Sequence, residues 1–406
     1  MATQAGDLAP KPDHVPAELV VDFDLYNIPG SDLDPQAAWR AIKPKGPLAW
    51  SPRNGGHWIA SSPETVFRFY RDSEHFSVSE LSIPKMGQEY LMIPNQVDPP
   101  MHAEYRRNIM PMFTTDAIGA MAGDVRELCV ELIEEMLPRG ECEFVMDFAF
   151  RFPLGIFMRM MGLPDSDRMY LRRLVEKFSD DPDPAVKADA AGKLGEYIDQ
   201  QIEDRIANPR DDATTRVTQF TIEGRPYTRA EMRGTVRLLM AAGLDTVAGM
   251  VCFLAWHLAI HPEDGDFIKA KFDDERAMQD IVQEFLRRYS IVSSSRMVKQ
   301  DYTYEGVTLK QGEMILMPSA FFNLDDARPD PIRVDFQRHN KKHITFGSGI
   351  HACAGALLAR EEIRIFLEEW LTRMPQVRLD PDRLPILKAM SLNGAQELWL
   401  KWDVPA

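Results

Sequence analysis

The chain has little cysteine, a deficit of positive charge and one long apolar run. Its four cysteines, Cys129, Cys142, Cys252 and Cys353, are scattered over 406 residues. None forms a C-x-x-C pair, which excludes the usual zinc and iron–sulfur patterns. So few in a long chain read as reduced thiols, three of them small buried hydrophobes. Lys and Arg number 47 against 62 Asp and Glu, a formal net charge of −15, which argues against nucleic acid as a partner because phosphates need a basic surface. Residues Met1 to Pro16 are polar and hold no apolar h-region, so they are not a secretory signal. No Gly/Ser run, Pro-rich stretch, low-complexity tract or repeat divides the sequence. One domain over residues 1–406 is therefore expected, with residues 1–37 as a partly irregular extension. The apolar run, Leu238 to Ile260, carries Asp245 and Thr246 in its interior. An acid near the centre of a membrane span is costly, so the run reads as a buried core helix, and a cytoplasmic protein without a membrane partner is expected.

A 45% hydrophobic content is ample for a large core. Helical periodicity dominates: Val125 to Met136, Lys193 to Ile206, Asp280 to Tyr289 and Ala352 to Met374 place apolar residues three and four apart. Strand signals are fewer. Leu48-Ala49-Trp50 and His57-Trp58-Ile59-Ala60 flank Asn54-Gly55-Gly56, a hairpin-like turn. Val307-Thr308-Leu309 and Met314-Ile315-Leu316 flank Lys310 to Glu313 and read as a second hairpin. The fold class is mainly α with minor β.

Residues 346 to 355 read Phe-Gly-Ser-Gly-Ile-His-Ala-Cys-Ala-Gly, and a helix follows at once. Backbone N–H groups at a helix start favour negative charge, hence thiolate over thiol at Cys353. Gly347, Gly349 and Gly355 let the chain turn tightly and approach a flat ligand, and Phe346 is placed to cover the sulfur. A lone Cys at a helix start is ordinarily a buried hydrophobe. The full string, however, resembles the haem-binding signature of the cytochrome P-450 family.

Three upstream segments follow that family's order. Ala242-Gly243-Leu244-Asp245-Thr246 sets an acid beside a Thr in the long apolar helix. Read structurally, the hydroxyl bonds back to a carbonyl one turn earlier; read functionally, the pair relays protons. Glu284 and Arg287 are three apart on a helix and share a face. His102 and Arg106 are four apart on another. Within the family the chain looks most like camphor-type hydroxylases, through Tyr90-Leu91-Met92-Ile93-Pro94, Gly243 to Val247 and Glu369 to Arg373. It departs from them at Ser82, Ala241 and Ser294, and at Phe178-Ser179-Asp180, where Lys177 is the one nearby cation.

The resemblance implies a triangular prism of helices with a small β-rich lobe. It also implies a haem b (iron protoporphyrin IX) cofactor with iron on Cys353, in a pocket that includes Phe346 and Gly355. His102, Arg106, Arg296 and His351 would bind the propionates. Asp245 and Thr246 would deliver protons to dioxygen. Glu284, Arg287 and Arg338 would form a structural network. Tyr90 would donate to a substrate carbonyl, and Leu238, Ala241, Val292 and Leu392 would line an apolar pocket for a monoterpenoid or norisoprenoid ketone. Electrons would come from a [2Fe–2S] ferredoxin and its FAD-dependent reductase, met by a basic patch of Arg106, Lys341, Lys342 and Arg360. The alternatives are a haem-thiolate ligand-binding sensor and a family member that does not hydroxylate.

Overall fold

The computed structural model describes residues 8–404 except 86, 88–90 and 181–183. Five helices and one sheet position the chemically distinctive residues. Helix α1 spans Met101–Ile109, α2 Thr115–Met136, α3 Arg229–Ile260, α4 Glu275–Arg288 and α5 Ala356–Arg373. The sheet comprises β1 (Leu48–Ser51), β2 (His57–Ala60), β3 (Phe76–Ser77), β4 (Ser293–Val298) and β5 (Met314–Pro318), in the order β1-β2-β5-β4-β3.

The helices begin earlier than their apolar stripes. Helix α2 starts ten residues before Val125, where the Thr114 hydroxyl accepts from the Ala117 N–H. The first turns of α2 are small and polar, so their sequence carries no amphipathic signal. Helix α4 likewise starts from an Asp274 cap, and the helix holding Lys193 to Ile206 runs over Pro184–Ala207. The opposite holds for α5, where Ala352 to Gly355 belong to the preceding loop.

The β1–β2 hairpin forms as expected, with Leu48 opposite Ala60 and Trp50 opposite Trp58. The second expected hairpin does not. Val307–Leu309 pairs backward with Tyr302–Tyr304, because Glu305 and Gly306 both take left-handed φ, 50° and 78°, and close a tight turn. The fully buried Met314–Pro318 instead enters the sheet between β2 and β4, parallel to the one and antiparallel to the other.

Helix α3 is long and apolar enough to cross a membrane, and 67% of its most apolar window is buried inside the protein. It spans two apolar cores. Met232 to Leu244 pack with residues of α1 and of the 154–202 region, whereas Val247 to Leu258 pack with α2, α4 and α5. Between them lie Asp245 and Thr246, both half-buried, preceded by exposed Ala241 and Ala242. The acid–Thr pair thus occupies the gap between two cores.

The start of α3 is fixed by a capping box, in which the Thr228 hydroxyl accepts from Glu231 N–H and the Glu231 carboxylate accepts from Thr228 N–H. Glu231 also accepts from both terminal nitrogens of Arg225, at 2.8 and 2.9 Å, and from the Tyr105 hydroxyl at 2.5 Å. Arg225 above all, helped by Tyr105 and Thr228 against the effect of burial, holds this carboxyl down to about 2 from its ordinary 4.5. A depressed folded-state value means stabilisation that is complete above the ordinary carboxylate range and fades as pH falls toward 2. Glu231→Gln is therefore expected to cost about 2 kcal/mol. Denaturant unfolding should show the same gap from wild type at pH 7 and pH 5, and a narrowing gap below pH 4.

Candidate active site

The loop before α5 is shaped by backbone contact. Gly347 and Gly349 have φ of 73° and 79°, a region costly for other residues. A Cβ on Gly349 would stand 3.0 Å from Arg71 Cα and 3.1 Å from the Tyr70 carbonyl. Gly355 needs no such freedom: its φ is −83°, and it caps α5. The loop closes on itself through Cys353 N–H to the Phe346 carbonyl at 2.8 Å.

Cys353 is exposed, whereas Cys129, Cys142 and Cys252 are buried as expected. Protein packs closely round the loop side of its sulfur, and this burial pushes the thiol up. The Gly355 N–H and the guanidiniums of Arg106 and Arg360 pull the other way without prevailing. The helix start alone does not make the thiolate the stable form; a cation on the sulfur would. Cys353 opens onto a cleft of about 370 Å³ bordered by Lys341, Lys342, His343, Phe346 and Arg360. The Arg360 guanidinium lies 4.6 Å from the Phe346 ring centroid. His343 bonds Gln283 at 2.7 Å and is held down to about 3, chiefly by burial, so it adds no charge near neutrality.

Beside this loop four donors converge. The rings of His102 and His351 lie 4.0 Å apart. Both are held low by burial, with Arg106 adding to the effect on each, His351 to about 3. Each has a buried Nε2 without a hydrogen-bond partner. Arg106 donates to the Ala352 carbonyl. Arg296, on β4, is buried, donates to the Ser295 carbonyl at 2.7 Å and lies over the Tyr70 ring. Neither guanidinium has a carboxylate partner among the described residues. The acid that acts on Arg296 through space, Asp98, already accepts from Ser77 Oγ at 2.6 Å and Val78 N–H at 3.0 Å. Such a set of donors without counter-charge is an anion site. Tyr70, which backs both Gly349 and Arg296, was not legible as part of it: in sequence it is one aromatic on a core helix face.

Glu284 and Arg287 are wholly buried and paired at 2.7 and 2.8 Å. Arg338 Nε reaches the same carboxylate at 3.2 Å. Arg287 also donates to the carbonyls of Pro331 and Arg333, and Arg338 to those of Pro329, Asp330 and Arg333. The three expected partners meet as one network.

On α3, Leu238, Ala241 and Asp245 share a face by their spacing. The Thr246 hydroxyl donates to the Ala242 carbonyl at 2.8 Å, the back-bond expected of a helical Thr. Val292 and Leu392 meet in an isolated antiparallel bridge and are both half-buried. Tyr90 lies outside the described residues. Its chain neighbour Ile93 donates from its N–H to the Gly234 carbonyl of α3 at 3.3 Å. Lys177 is exposed.

The cytochrome P450 family model matches residues 176–389. A probable cytochrome P450 127A1 of Sinorhizobium fredii is 32% identical over 406 residues, covering 97% of each chain. The crystal structure of cytochrome P450 CYP101C1 superposes with a TM-score of 0.90 at 36% identity, covering 97% of this chain and 100% of that one. That of CYP101J2 gives 0.89 at 34%, covering 98% and 100%. The chain belongs to the cytochrome P450 family and is one of its monooxygenases. The CYP101 neighbours bear out its likeness to the camphor-type branch.

Family membership implies haem, and the residues fit it: an exposed cysteine on a glycine-shaped loop, and beside it an anion site suited to two carboxylates. Arg296→Leu removes the most deeply buried cation of that site. It is expected to speed haem loss at least tenfold, the worth of one charge-assisted hydrogen bond. Transfer of haem to an excess of apomyoglobin measures this, and an unchanged rate would remove Arg296 from the site.

Proposed function

We propose that this monooxygenase hydroxylates a small, rigid, hydrophobic ketone of the monoterpenoid or norisoprenoid class. The single observation that carries the reading is the contrast on α3. An apolar face through Leu238 and Ala241 ends at Asp245 and Thr246, in the gap between two cores. An apolar wall positions a substrate by shape, and an acid with a hydroxyl at its edge supplies protons where they are used. Haem b, with iron on Cys353, would supply oxygen activation and the hydrogen abstraction. His102, Arg106, Arg296 and His351 would hold its propionates, and Phe346 would shield the sulfur.

The protein's own part is proton control and positioning. The Thr246 hydroxyl, which donates to the Ala242 carbonyl, would hold a proton for the oxygen-activating chemistry haem would supply, and Asp245 would replace that proton. Tyr90 orients the substrate through its carbonyl. The small Ser82 and Ala241, where camphor-type enzymes place larger residues, count against camphor itself. Electrons come from a [2Fe–2S] ferredoxin and its FAD-dependent reductase. Lys341, Lys342 and Arg360 border the cleft onto which Cys353 opens, a basic spot on a chain of net charge −15, and this charge contrast favours an acidic partner there. A ligand-binding sensor has no use for the acid–Thr pair.

Titrating the ferric protein with camphor and α- and β-ionone tests the substrate class. A shift of the Soret band toward high-spin iron is expected with at least one ionone, and no shift with any of the three would reject the terpenoid ketone reading. Thr246→Ala is expected to keep NADH consumption within a few-fold of wild type while product per NADH falls roughly tenfold, the scale of one positioned proton donor. Product quantified against oxygen uptake measures this. Tight coupling in the variant would refute the relay role.

A further inference from the structure

Asn393 is almost fully buried, at 1% exposure, in a turn with no catalytic group of its own. Its side chain is nevertheless a junction. Oδ1 accepts from the Trp39 indole N–H at 2.9 Å and the Met390 N–H at 3.0 Å, and Nδ2 donates to the Ser290 carbonyl at 2.7 Å. Its main-chain N–H donates to the Ile291 carbonyl at 2.8 Å, and Ser293 N–H donates to the Ser391 carbonyl at 2.8 Å. Residues 391 and 393 are thus tied to 293 and 291, and between them Leu392 faces Val292 in the isolated bridge. The far end is held as well, by the Ser319 hydroxyl on the Val292 carbonyl at 2.6 Å.

This clamp leans on α3. A Cβ on Gly249 would stand 2.8 Å from the Asn393 carbonyl, so the turn rests directly on the helix. Gly249 is three residues beyond Thr246 and four beyond Asp245, on the same face by helical spacing. Leu392 and Val292 are therefore tied to a turn that touches α3 one helical turn beyond the acid–Thr pair.

We infer that Asn393 is a positioning residue for substrate selectivity. It fixes the Val292–Leu392 wall against α3 through Trp39 and Ser290. The inference rests on the reading of Val292 and Leu392 as substrate-facing. The amide suits the task because it accepts and donates at once in a dry site, where each unmade bond is costly. A hydrophobic residue there would leave Trp39 N–H unpaired and the turn held by its main-chain bonds alone.

The test compares two ligands of ferric haem, imidazole and 4-phenylimidazole, the second carrying a ring beyond the coordinating group. Their ratio of dissociation constants reads the wall whatever the natural substrate is. Asn393→Ala is expected to weaken 4-phenylimidazole at least fivefold while leaving imidazole, and the absorption of the CO-bound ferrous form, as in wild type. Trp39→Phe keeps the ring and removes one bond, and should move the ratio about twofold in the same direction. Gln36→Leu is the control for stability. Gln36 donates to the same Ser290 carbonyl at 2.8 Å but has no bond to the 391–393 turn, so this variant should leave the ratio unchanged. An unchanged ratio in both Asn393→Ala and Trp39→Phe overturns the inference, as does a parallel weakening of both ligands. A wild-type protein showing no nitrogen-ligated spectrum with imidazole would overturn the haem reading itself, and the inference with it.

Discussion

One carboxylate, Glu284, carries two guanidiniums in a fully buried setting, and the run of chain leading to Cys353 depends on it. Arg287 and Arg338 would be ruinous in that interior without it. Their excess of charge is absorbed by the carbonyls of residues 329–333, which are irregular backbone and would otherwise be short of donors. The ion network and the irregular segment satisfy each other. That closure fixes where the chain re-enters the core at Ile344, five residues before the glycine that presses on Tyr70 and Arg71.

The second constraint is the division of labour along α3. A helix of 32 residues buried all round would leave no room for chemistry; one exposed along a side would not hold its place. Packing its two ends into separate cores leaves a short, half-buried interval between them. That interval holds the acid and the hydroxyl, and one turn further on the 391–393 turn rests on the helix at Gly249. The placement of the reactive region follows from where apolar packing stops.

Much of this was legible in the sequence where the signal is local. The Cys loop, the Glu-x-x-Arg pair and the His-x-x-x-Arg spacing are set by a few adjacent residues and by helix geometry, which is why they can be read from the sequence. The Val307–Leu316 segment reads as a hairpin in sequence, but a two-residue turn at Glu305-Gly306 competes with the one at Gln311-Gly312, and only the sheet's demand for a buried central strand decides between them. The helix start at Cys353 is legible in ten letters, whereas the burial that works against its thiolate depends on the whole loop and leaves no trace there. Asn393 gives no signal at all: Ser-Leu-Asn-Gly reads as an ordinary surface turn, and its burial comes from Trp39, 354 residues away.

The gathering of His102, Arg106, Arg296 and His351 has a thermodynamic consequence. These groups come from a helix, a strand and a loop far apart in sequence, and the acid that acts on Arg296 and His102 through space, Asp98, is itself bonded to Ser77 and Val78. Burying donors without partners works against the folded chain, and a dianion bound among them would offset that cost. A haem held there through its propionates would be linked to folding by mass action. Its concentration would set the population of the assembled form, and the prosthetic group would act as a structural crosslink between segments distant in sequence.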